Sequence, residues 1–186
     1  MQSETVLSTH RIYEGRVINL RVDDVRTSNG VDTLREIVEH PGAVAIVAVD
    51  DEDRILLVRQ YRHAAGRVMT EIPAGTLEPG EDPLSCAARE LDEETGYIAA
   101  HIDRLGGVYT SPGFCTEYIH LFVATGLTRG TAHPEEDEQI GIDAIPQAEV
   151  MRRVLAGEIQ DAKSVSALLL FDHLAKAREM GRREVE

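Results

Sequence analysis

The segment between Gly75 and Tyr97 concentrates residues that could bind a metal ion. Three carboxylates, Glu90, Glu93 and Glu94, recur at a spacing that places them within about 100° of one another on a helix. Like charges at such positions destabilise a helix, and its C-terminal dipole adds to the cost. A bound cation would offset both effects, and carboxylate oxygens suit Mg²⁺ and Mn²⁺. Taken alone, however, three acids on one helix face more often form a solvated surface.

A helix between Asp82 and Gly96 is the element that must present these carboxylates. Asp82 is a suitable N-cap, Pro83 fits the first helical position, and Gly96 fits the residue that follows a helix in the left-handed conformation. Apolar side chains lie on the arc beside the acids, where they can pack on a sheet: Leu84, Ala87, Ala88 and Leu91. The spacing therefore predicts a helix over residues 83–95.

The rest of the chain alternates strand patterns with helical ones. Strand patterns cover residues 16–22, 34–39, 43–49, 54–61, 104–109, 118–124 and 141–145, and helical patterns cover 147–156 and 164–180. This order predicts a layered α/β fold with a mixed sheet. At 186 residues the chain is most simply one folding unit. Within it we assign residues 1–40 to an N-terminal β-region and residues 41–180 to the domain that carries the acidic helix.

A wider pattern around the acidic helix distinguishes a metal site from a solvated face. Its seven fixed positions are Gly75, Glu81, Arg89, Glu90, Glu93, Glu94 and Gly96. From average residue usage, chance agreement with all seven anywhere in the chain is on the order of one in a million. The pattern resembles the Nudix box, and Tyr97 at its final apolar position is the one mild departure. The resemblance implies an α/β/α sandwich around a mixed sheet, and hydrolysis of a nucleoside diphosphate derivative with a divalent cation.

The same resemblance assigns roles to individual residues. The carboxylates of Glu90 and Glu94 would be the main metal ligands, and the backbone carbonyl of Ala74 would be a further one. Glu93 would lie close by. The metal would be Mg²⁺, with Mn²⁺ as a substitute, and it would neutralise the pyrophosphate and lower the pKa of a bound water.

Other positions of the box would hold this site in shape. By resemblance, Arg89 and Glu81 orient the loop and the helix rather than contact the metal. Gly75 and Gly96 let the backbone turn tightly around the site.

A second motif, Ser111-Pro112-Gly113-Phe114, follows the box by about fifteen residues. Alone, its Pro-Gly pair would predict a turn. A proline at this offset in a Ser-Pro-Gly setting resembles the ADP-ribose pyrophosphatase branch of the Nudix family, in which the loop lies beside the terminal ribose. Glu117 would then stand where that branch has a ribose-contacting acid.

The acidic segment from Ala132 to Glu138 allows two interpretations. It could be a solvated loop, or it could correspond to the loop that closes over the metals in the same branch. In the second case Glu136 and Glu138 are the candidates for a general base, and Glu138 for a further metal ligand. The sequence does not choose between these two residues, and Glu93 remains a third candidate for the base.

The N-terminal part also resembles that branch, in which the first strands swap across a homodimer. Carried over, Arg35 and Glu36 would act on the adenine end across the dimer. Arg62 would contact the pyrophosphate, since the planar guanidinium suits phosphate oxygens. Simple alternation on an exposed strand explains Arg35 and Glu36 equally well.

The net charge excludes several classes of partner. The chain has 33 acidic and 19 basic residues, a formal charge of −14, and no basic cluster, which disfavours nucleic acid and anionic membranes.

The apolar run over residues 43–49 is far shorter than the roughly 20 residues of a membrane-spanning helix. The first residues lack a signal-peptide pattern, so we expect a cytoplasmic protein. Residues 71–100 and 135–138 carry net charges of −7 and −4, so most of the acidity lies in the expected metal site.

The sequence therefore predicts a homodimeric Nudix hydrolase that cleaves ADP-ribose to AMP and ribose 5-phosphate. The principal alternative is another nucleotide-sugar diphosphatase, such as one for GDP-mannose. An oxidised-nucleotide triphosphatase, an RNA-decapping enzyme and a non-catalytic nucleotide sensor agree less well with the sequence. The Ser111–Phe114 loop has no feature that indicates an oxidised-nucleotide triphosphatase. The low number of aromatic residues, eight, and the lack of a basic groove disfavour an RNA-decapping enzyme. The complete box disfavours a non-catalytic sensor.

Overall fold

The computed structural model describes residues 3–130 and 141–183, with side chains up to Ala177 in the last helix. Within these residues the strands are β1 Thr5–Glu14, β2 Asn19–Arg26, β3 Asp32–Glu39, β4 Ala43–Ala48, β5 Arg54–Arg62, β6 Arg67–Glu71, β7 Ala74–Thr76, β8 Tyr97–Tyr109, β9 Tyr118–Arg129 and β10 Gly141–Pro146. The helices are α1 Pro83–Thr95, α2 Gln147–Leu155 and α3 Ala162–Arg183. The chain divides into two compact units, one from residues up to Gly42 with Tyr109–Tyr118, the other from Ala43–Val108 and the chain from Ile119 onward.

The first unit contains an antiparallel sheet in the order β1-β2-β3. Its register joins Thr5 to Arg26 and Asn19 to Glu39. Strand β1 is solvent-exposed along its whole length, including its large apolar side chains: Val6, Leu7, Ile12 and Tyr13. The sequence did not predict β1, because its apolar and polar residues do not alternate with a period of two.

The second unit contains two sheets, ordered β7-β4-β9-β8 and β10-β5-β6. Strand β4 runs parallel to β9 and antiparallel to β7, so the first sheet is mixed. Every residue of β4 is buried, which explains why its sequence is a continuous apolar run rather than an alternating one.

Alternate residues of β4 face two separate apolar cores. On one face, Ala45 and Val47 belong to a cluster that includes Val150 of α2 and Leu168 of α3. On the other face, the intervening residues pack with α1: Val44, Ile46 and Ala48 against Ala87 and Leu91. The sheet therefore lies between α1 on one side and α2 with α3 on the other. This arrangement confirms the predicted α/β/α sandwich with a mixed sheet.

Helix α1 begins and ends where the sequence predicts. The Asp82 carboxylate accepts a hydrogen bond from the backbone N–H of Ser85 at 3.1 Å. Gly96 adopts a left-handed conformation with φ 66° and donates its N–H to the carbonyl of Asp92. Both caps satisfy backbone groups that the helix itself cannot pair.

Other boundaries differ from those expected. Strand β2 begins at Asn19 rather than at residue 16, and the short strands β6 and β7 carry no pattern long enough to detect. Strand β8 begins at Tyr97, seven residues before the expected position, because the chain enters a strand directly after the Gly96 turn. No helix in the described part of the chain is long and apolar enough to cross a membrane.

Candidate functional site

Two carboxylates of α1 lie directly against the short strand β7. The Glu94 carboxylate, in a residue that is 6% exposed, accepts a hydrogen bond from the backbone N–H of Ala74 at 3.0 Å. One turn earlier, Glu90 lies so close to Gly75 that a Cβ added there would be 1.8 Å from the Glu90 carboxyl carbon. Only glycine fits at position 75, which explains why the box begins with a glycine. The backbone of residues 74–75 and these two glutamates therefore form one compact cluster.

Arg89 connects the remaining acids of the box. Its Nε and Nη2 donate to the two oxygens of Glu81, each at 3.0 Å. Its Nη1 donates to Glu90 and to Glu93, each at 2.8 Å. The bidentate pair lowers the pKa of Glu81 to about 2, and the same hydrogen bonds, together with the nearby carboxylates, raise the pKa of Arg89. Arg89 thus holds the box loop to the helix and positions the metal-ligand candidate Glu90.

The loop before α1 is fixed by two further contacts. The backbone N–H of Glu78 donates to Glu81 at 3.0 Å, and the thiol of Cys86 lies 3.7 Å from the carbonyl of Thr76. Burial raises the pKa of Cys86 to about 12, and the adjacent Glu81 adds to the shift. The thiol therefore remains protonated, and it contributes packing rather than a thiolate.

The donor set of this cluster fits a hard divalent cation. Mg²⁺ usually binds through one or two protein carboxylates and keeps the rest of its coordination shell for water and substrate phosphates. Glu90 and Glu94 are two such carboxylates on one helix face. Among the side chains described, those of residues 3–130 and 141–177, no group of three or more His, Cys, Asp or Glu is arranged to hold a metal ion. Glu93 instead meets Arg89, and Glu136 and Glu138 lie outside the described residues.

Next to the box lies a buried ionic group that the sequence did not predict. Arg62 on β5 donates through Nε and Nη2 to both oxygens of Glu71 at 2.9 and 2.7 Å. Lys163 on α3 also donates to Glu71, which is 2% exposed. Burial would raise the pKa of Glu71, but the hydrogen bond from Arg62 and the charge of Lys163 outweigh it and lower that pKa. Glu71 is therefore an ionised buried carboxylate with two cationic partners.

Asp161 anchors the same group at the beginning of α3. Its carboxylate accepts hydrogen bonds from Lys163 at 2.9 Å and from the Ser164 hydroxyl at 2.6 Å. The Ser164 hydroxyl accepts the buried N–H of Ile72 at 2.9 Å. Asp161 and Ser164 have the spacing of a helix N-cap and its third residue, which is the one sequence signal that could have located this group.

The substrate-binding residues predicted in the N-terminal part belong to the first unit. Arg35 and Glu36 are consecutive on β3, so their side chains lie on opposite faces of the sheet. Arg35 donates to Glu4 through Nη2 and, at 3.1 Å, through Nε. The structure thus places both residues on a strand, without bringing them to one face.

The Pro112–Phe114 loop is also part of the first unit. The Ser111 carbonyl accepts the N–H groups of Phe114 and Cys115, and the Phe114 carbonyl accepts the N–H of Val38 on β3. After this turn, which contains Pro112 and Gly113, Glu117 accepts a hydrogen bond from the Thr110 hydroxyl at 2.8 Å. The loop is therefore tied to the N-terminal sheet, while the box and Arg62 lie in the second unit.

Comparison with known proteins identifies two families along the chain. The NUDIX domain matches residues 39–168, and the nucleoside diphosphate sugar hydrolase N-terminal domain matches residues 4–38.

Several characterised proteins are similar over most of their length. A methanol dehydrogenase activator of Bacillus methanolicus is 44% identical, and the ADP-ribose pyrophosphatase of Bacillus subtilis (strain 168) is 42% identical; each alignment covers 89% of this chain and 90% of the relative. A GDP-mannose pyrophosphatase of Cronobacter sakazakii is 35% identical over 75% of this chain and 76% of its own.

The fold also matches a solved structure. The crystal structure of an ADP compounds hydrolase superposes with a TM-score of 0.85 at 27% identity, covering 96% of this chain and 97% of that one. Together with the box geometry, these matches show that the chain belongs to the Nudix family of hydrolases.

Proposed function

We propose that this protein hydrolyses the pyrophosphate of ADP-ribose to AMP and ribose 5-phosphate, with Mg²⁺ bound by Glu90 and Glu94. The observation that carries the proposal is the contact of both carboxylates with the backbone of Ala74 and Gly75. The similarity to the Bacillus subtilis ADP-ribose pyrophosphatase supports the choice of substrate. The carbonyl of Ala74 would be a third oxygen ligand.

The box residues would prepare the site for an anionic substrate. A bound divalent cation would neutralise the pyrophosphate and activate a water for in-line attack. Glu90 and Glu94 would bind the divalent cation at the N-terminal end of the 74–76 strand. Arg89 and Glu81 would keep the Glu90 carboxylate in place through the hydrogen bonds described above.

Arg62 would bind the substrate phosphate through its Nη1, the nitrogen that takes no part in the pair with Glu71. The hydrogen bond with Glu71 raises the pKa of Arg62, so its guanidinium stays charged and can attract phosphate oxygens. The general base would be one of Glu93, Glu136 and Glu138. Single Gln variants at these positions, compared by their kcat-versus-pH profiles, would identify it by the loss of the acidic limb.

A substrate panel tests the proposal directly. With Mg²⁺ or Mn²⁺, we expect kcat/KM for ADP-ribose to exceed that for GDP-mannose and for nucleoside triphosphates, with AMP and ribose 5-phosphate as products. The GDP-mannose pyrophosphatases among the relatives make GDP-mannose the second candidate. A higher kcat/KM for GDP-mannose would replace ADP-ribose by that substrate.

We further propose that residues 1–40 form the dimer-building part of the protein and residues 41–180 its hydrolase domain. The exposed apolar side chains of β1 support a homodimer in which this strand is covered by, or exchanged with, a second copy. In such a dimer Arg35 and Glu36 would contact the adenine end, while Pro112, Gly113, Phe114 and Glu117 would contact the ribose. Light scattering should give twice the monomer mass, and replacing Ile12 and Tyr13 by Ser should shift it to the monomer.

We also propose a cytoplasmic location. Cell fractionation with a membrane and a secreted marker would test it.

A further inference from the structure

Ala74 and Gly75, which meet the metal-ligand candidates Glu94 and Glu90, directly follow residues 71–73. Each of these three residues is held by a hydrogen bond or an ion pair. Glu71 pairs with Arg62 and Lys163, and the Ile72 N–H donates to Ser164. The carbonyl of Pro73 accepts the N–H of Ile46 at 2.8 Å. The next two residues, Ala74 and Gly75, meet Glu94 and Glu90.

Two of these contacts come from the beginning of α3: Lys163 with Glu71, and Ser164 with the Ile72 N–H. Lys163 and Ser164 are neighbours in sequence, and both are bonded to Asp161. Ser164 is completely buried, and the Lys163 side chain is 11% exposed. Because buried polar groups of this kind are costly to leave unpaired, the group fixes residues 71–72 against α3 rather than allowing them to shift.

A shift at residues 71–72 would be transmitted to the metal-ligand candidates. Only Pro73, itself hydrogen-bonded through its carbonyl, separates Ile72 from Ala74. The Glu90 carboxylate occupies the space that a Cβ at Gly75 would need, so the backbone here lies close against this metal-ligand candidate. The position of the Ala74 carbonyl therefore depends on where α3 holds the preceding residues.

We propose that Lys163 and Ser164 of α3 are positioning residues for the metal site, acting through Glu71 and Ile72 on the backbone of Ala74 and Gly75. This inference rests on the proposed function, because it assigns the metal to Glu90, Glu94 and the Ala74 carbonyl. It extends that function by placing part of the active-site support some 70 residues beyond the box in the sequence.

Two variants test this role, and a third provides a matched control. Lys163→Met removes the cation from Glu71, and Ser164→Ala removes the hydroxyl that accepts the Ile72 N–H. Lys176→Met makes the same lysine change on the same helix, at an exposed lysine paired with Asp172. Lys163→Arg keeps the charge and serves as the rescue variant.

Mn²⁺ binding is the decisive measurement, made by electron paramagnetic resonance of free Mn²⁺ at a temperature well below each variant's Tm. We expect the Mn²⁺ Kd to rise about tenfold or more in Lys163→Met and Ser164→Ala, the range typical of residues that support metal ligands. Lys176→Met should bind as the unsubstituted protein does, and Lys163→Arg should recover most of the affinity. Hydrogen exchange at residues 72–75 should quicken in the first two variants only.

The outcomes separate this inference from the proposed function. If the unsubstituted protein binds Mn²⁺ and both folded variants bind it equally well, α3 merely stabilises the fold and the inference is wrong, even if Tm falls. If Lys163→Met does not fold, Ser164→Ala alone decides the question by the same criterion. If the unsubstituted protein binds no Mn²⁺, the metal assignment fails first and the inference fails with it.

Discussion

The carboxylate of Glu90 lies in the space that a side chain at Gly75 would need, 1.8 Å from the position of its Cβ. Glycine at this position is therefore required by the metal-ligand candidate itself and not by a turn, because Gly75 has no left-handed φ. The helix and the strand approach each other closely enough for the backbone to take part in the site.

Replacing Gly75 by alanine should consequently displace Glu90. We expect kcat to fall at least 100-fold, with a loss of stability of about 1–3 kcal/mol from overpacking. Gly106→Ala is the matched control, since its added Cβ would meet only the end of the Leu170 side chain at 3.3 Å. Steady-state kinetics and urea unfolding would check both variants. Normal turnover by Gly75→Ala would contradict the assignment of Glu90.

Removing the charge of Glu94 should abolish turnover without unfolding the protein. Glu94→Gln keeps an oxygen that can accept the N–H of Ala74, so we expect Tm to change by only a few degrees. Loss of a metal ligand should lower kcat roughly 1,000-fold, equivalent to about 4 kcal/mol in the activation barrier. Glu158→Gln, which loses only an exposed pair with Arg152, should retain full activity. An active Glu94→Gln enzyme would argue against ligation.

The pair between Arg89 and Glu81 should make stability depend on pH in the acid range. The pKa of Glu81 falls from 4.5 to about 2 in the folded protein, so the unfolded chain binds the extra proton between these values. The stabilisation is complete above pH 4.5 and is lost as pH falls toward 2. Allowing for solvent screening, we expect it to be roughly 1–2 kcal/mol at neutral pH.

Glu81→Gln measures this contribution by urea unfolding at pH 7 and at successively lower pH. The variant should be less stable than the unsubstituted protein at pH 7, and the difference should shrink steadily below pH 4.5. A difference that stayed constant across this range would mean that packing, not ionisation, links Glu81 to Arg89.

The concentrated negative charge predicts that the substrate binds well only together with a divalent cation. A non-hydrolysable ADP-ribose analogue should bind at least tenfold more weakly after chelation than with Mg²⁺ in calorimetry. Adenosine, which lacks the phosphates, provides the control and should show no such dependence. Equal affinity for the analogue with and without Mg²⁺ would show that the carboxylates do not repel it as proposed.

The sequence predicted those parts of the fold and site that depend on local spacing. Helix α1 and its caps at Asp82 and Gly96 were predicted because the side chains that satisfy a helix end lie within four residues of it. The fully buried strand β4 and the helix–sheet layers followed from composition and periodicity in the same way.

What the sequence could not predict depends on contacts between distant residues. Lys163 reaches Glu71 across 92 positions, and nothing near either residue indicates the other. The ion pair between Arg62 and Glu71 could not be predicted for the same reason. The sequence therefore predicted that Arg62 contacts phosphate but not that it pairs with a carboxylate. Strand β1 was missed because its exposed residues follow no hydrophobic pattern, and strand pairing with β2 alone defines it.

Cys86 is completely buried, and its thiol contacts Arg89 and the carbonyl of Thr76. A protonated, inaccessible thiol reacts with alkylating reagents only when the surrounding structure opens. The rate at which Cys86 is labelled therefore measures how often α1 detaches from the sheet, whereas the partly exposed Cys115 lacks this protection. Mass spectrometry of Cys86 labelling would therefore follow the opening of helix α1 without any substitution.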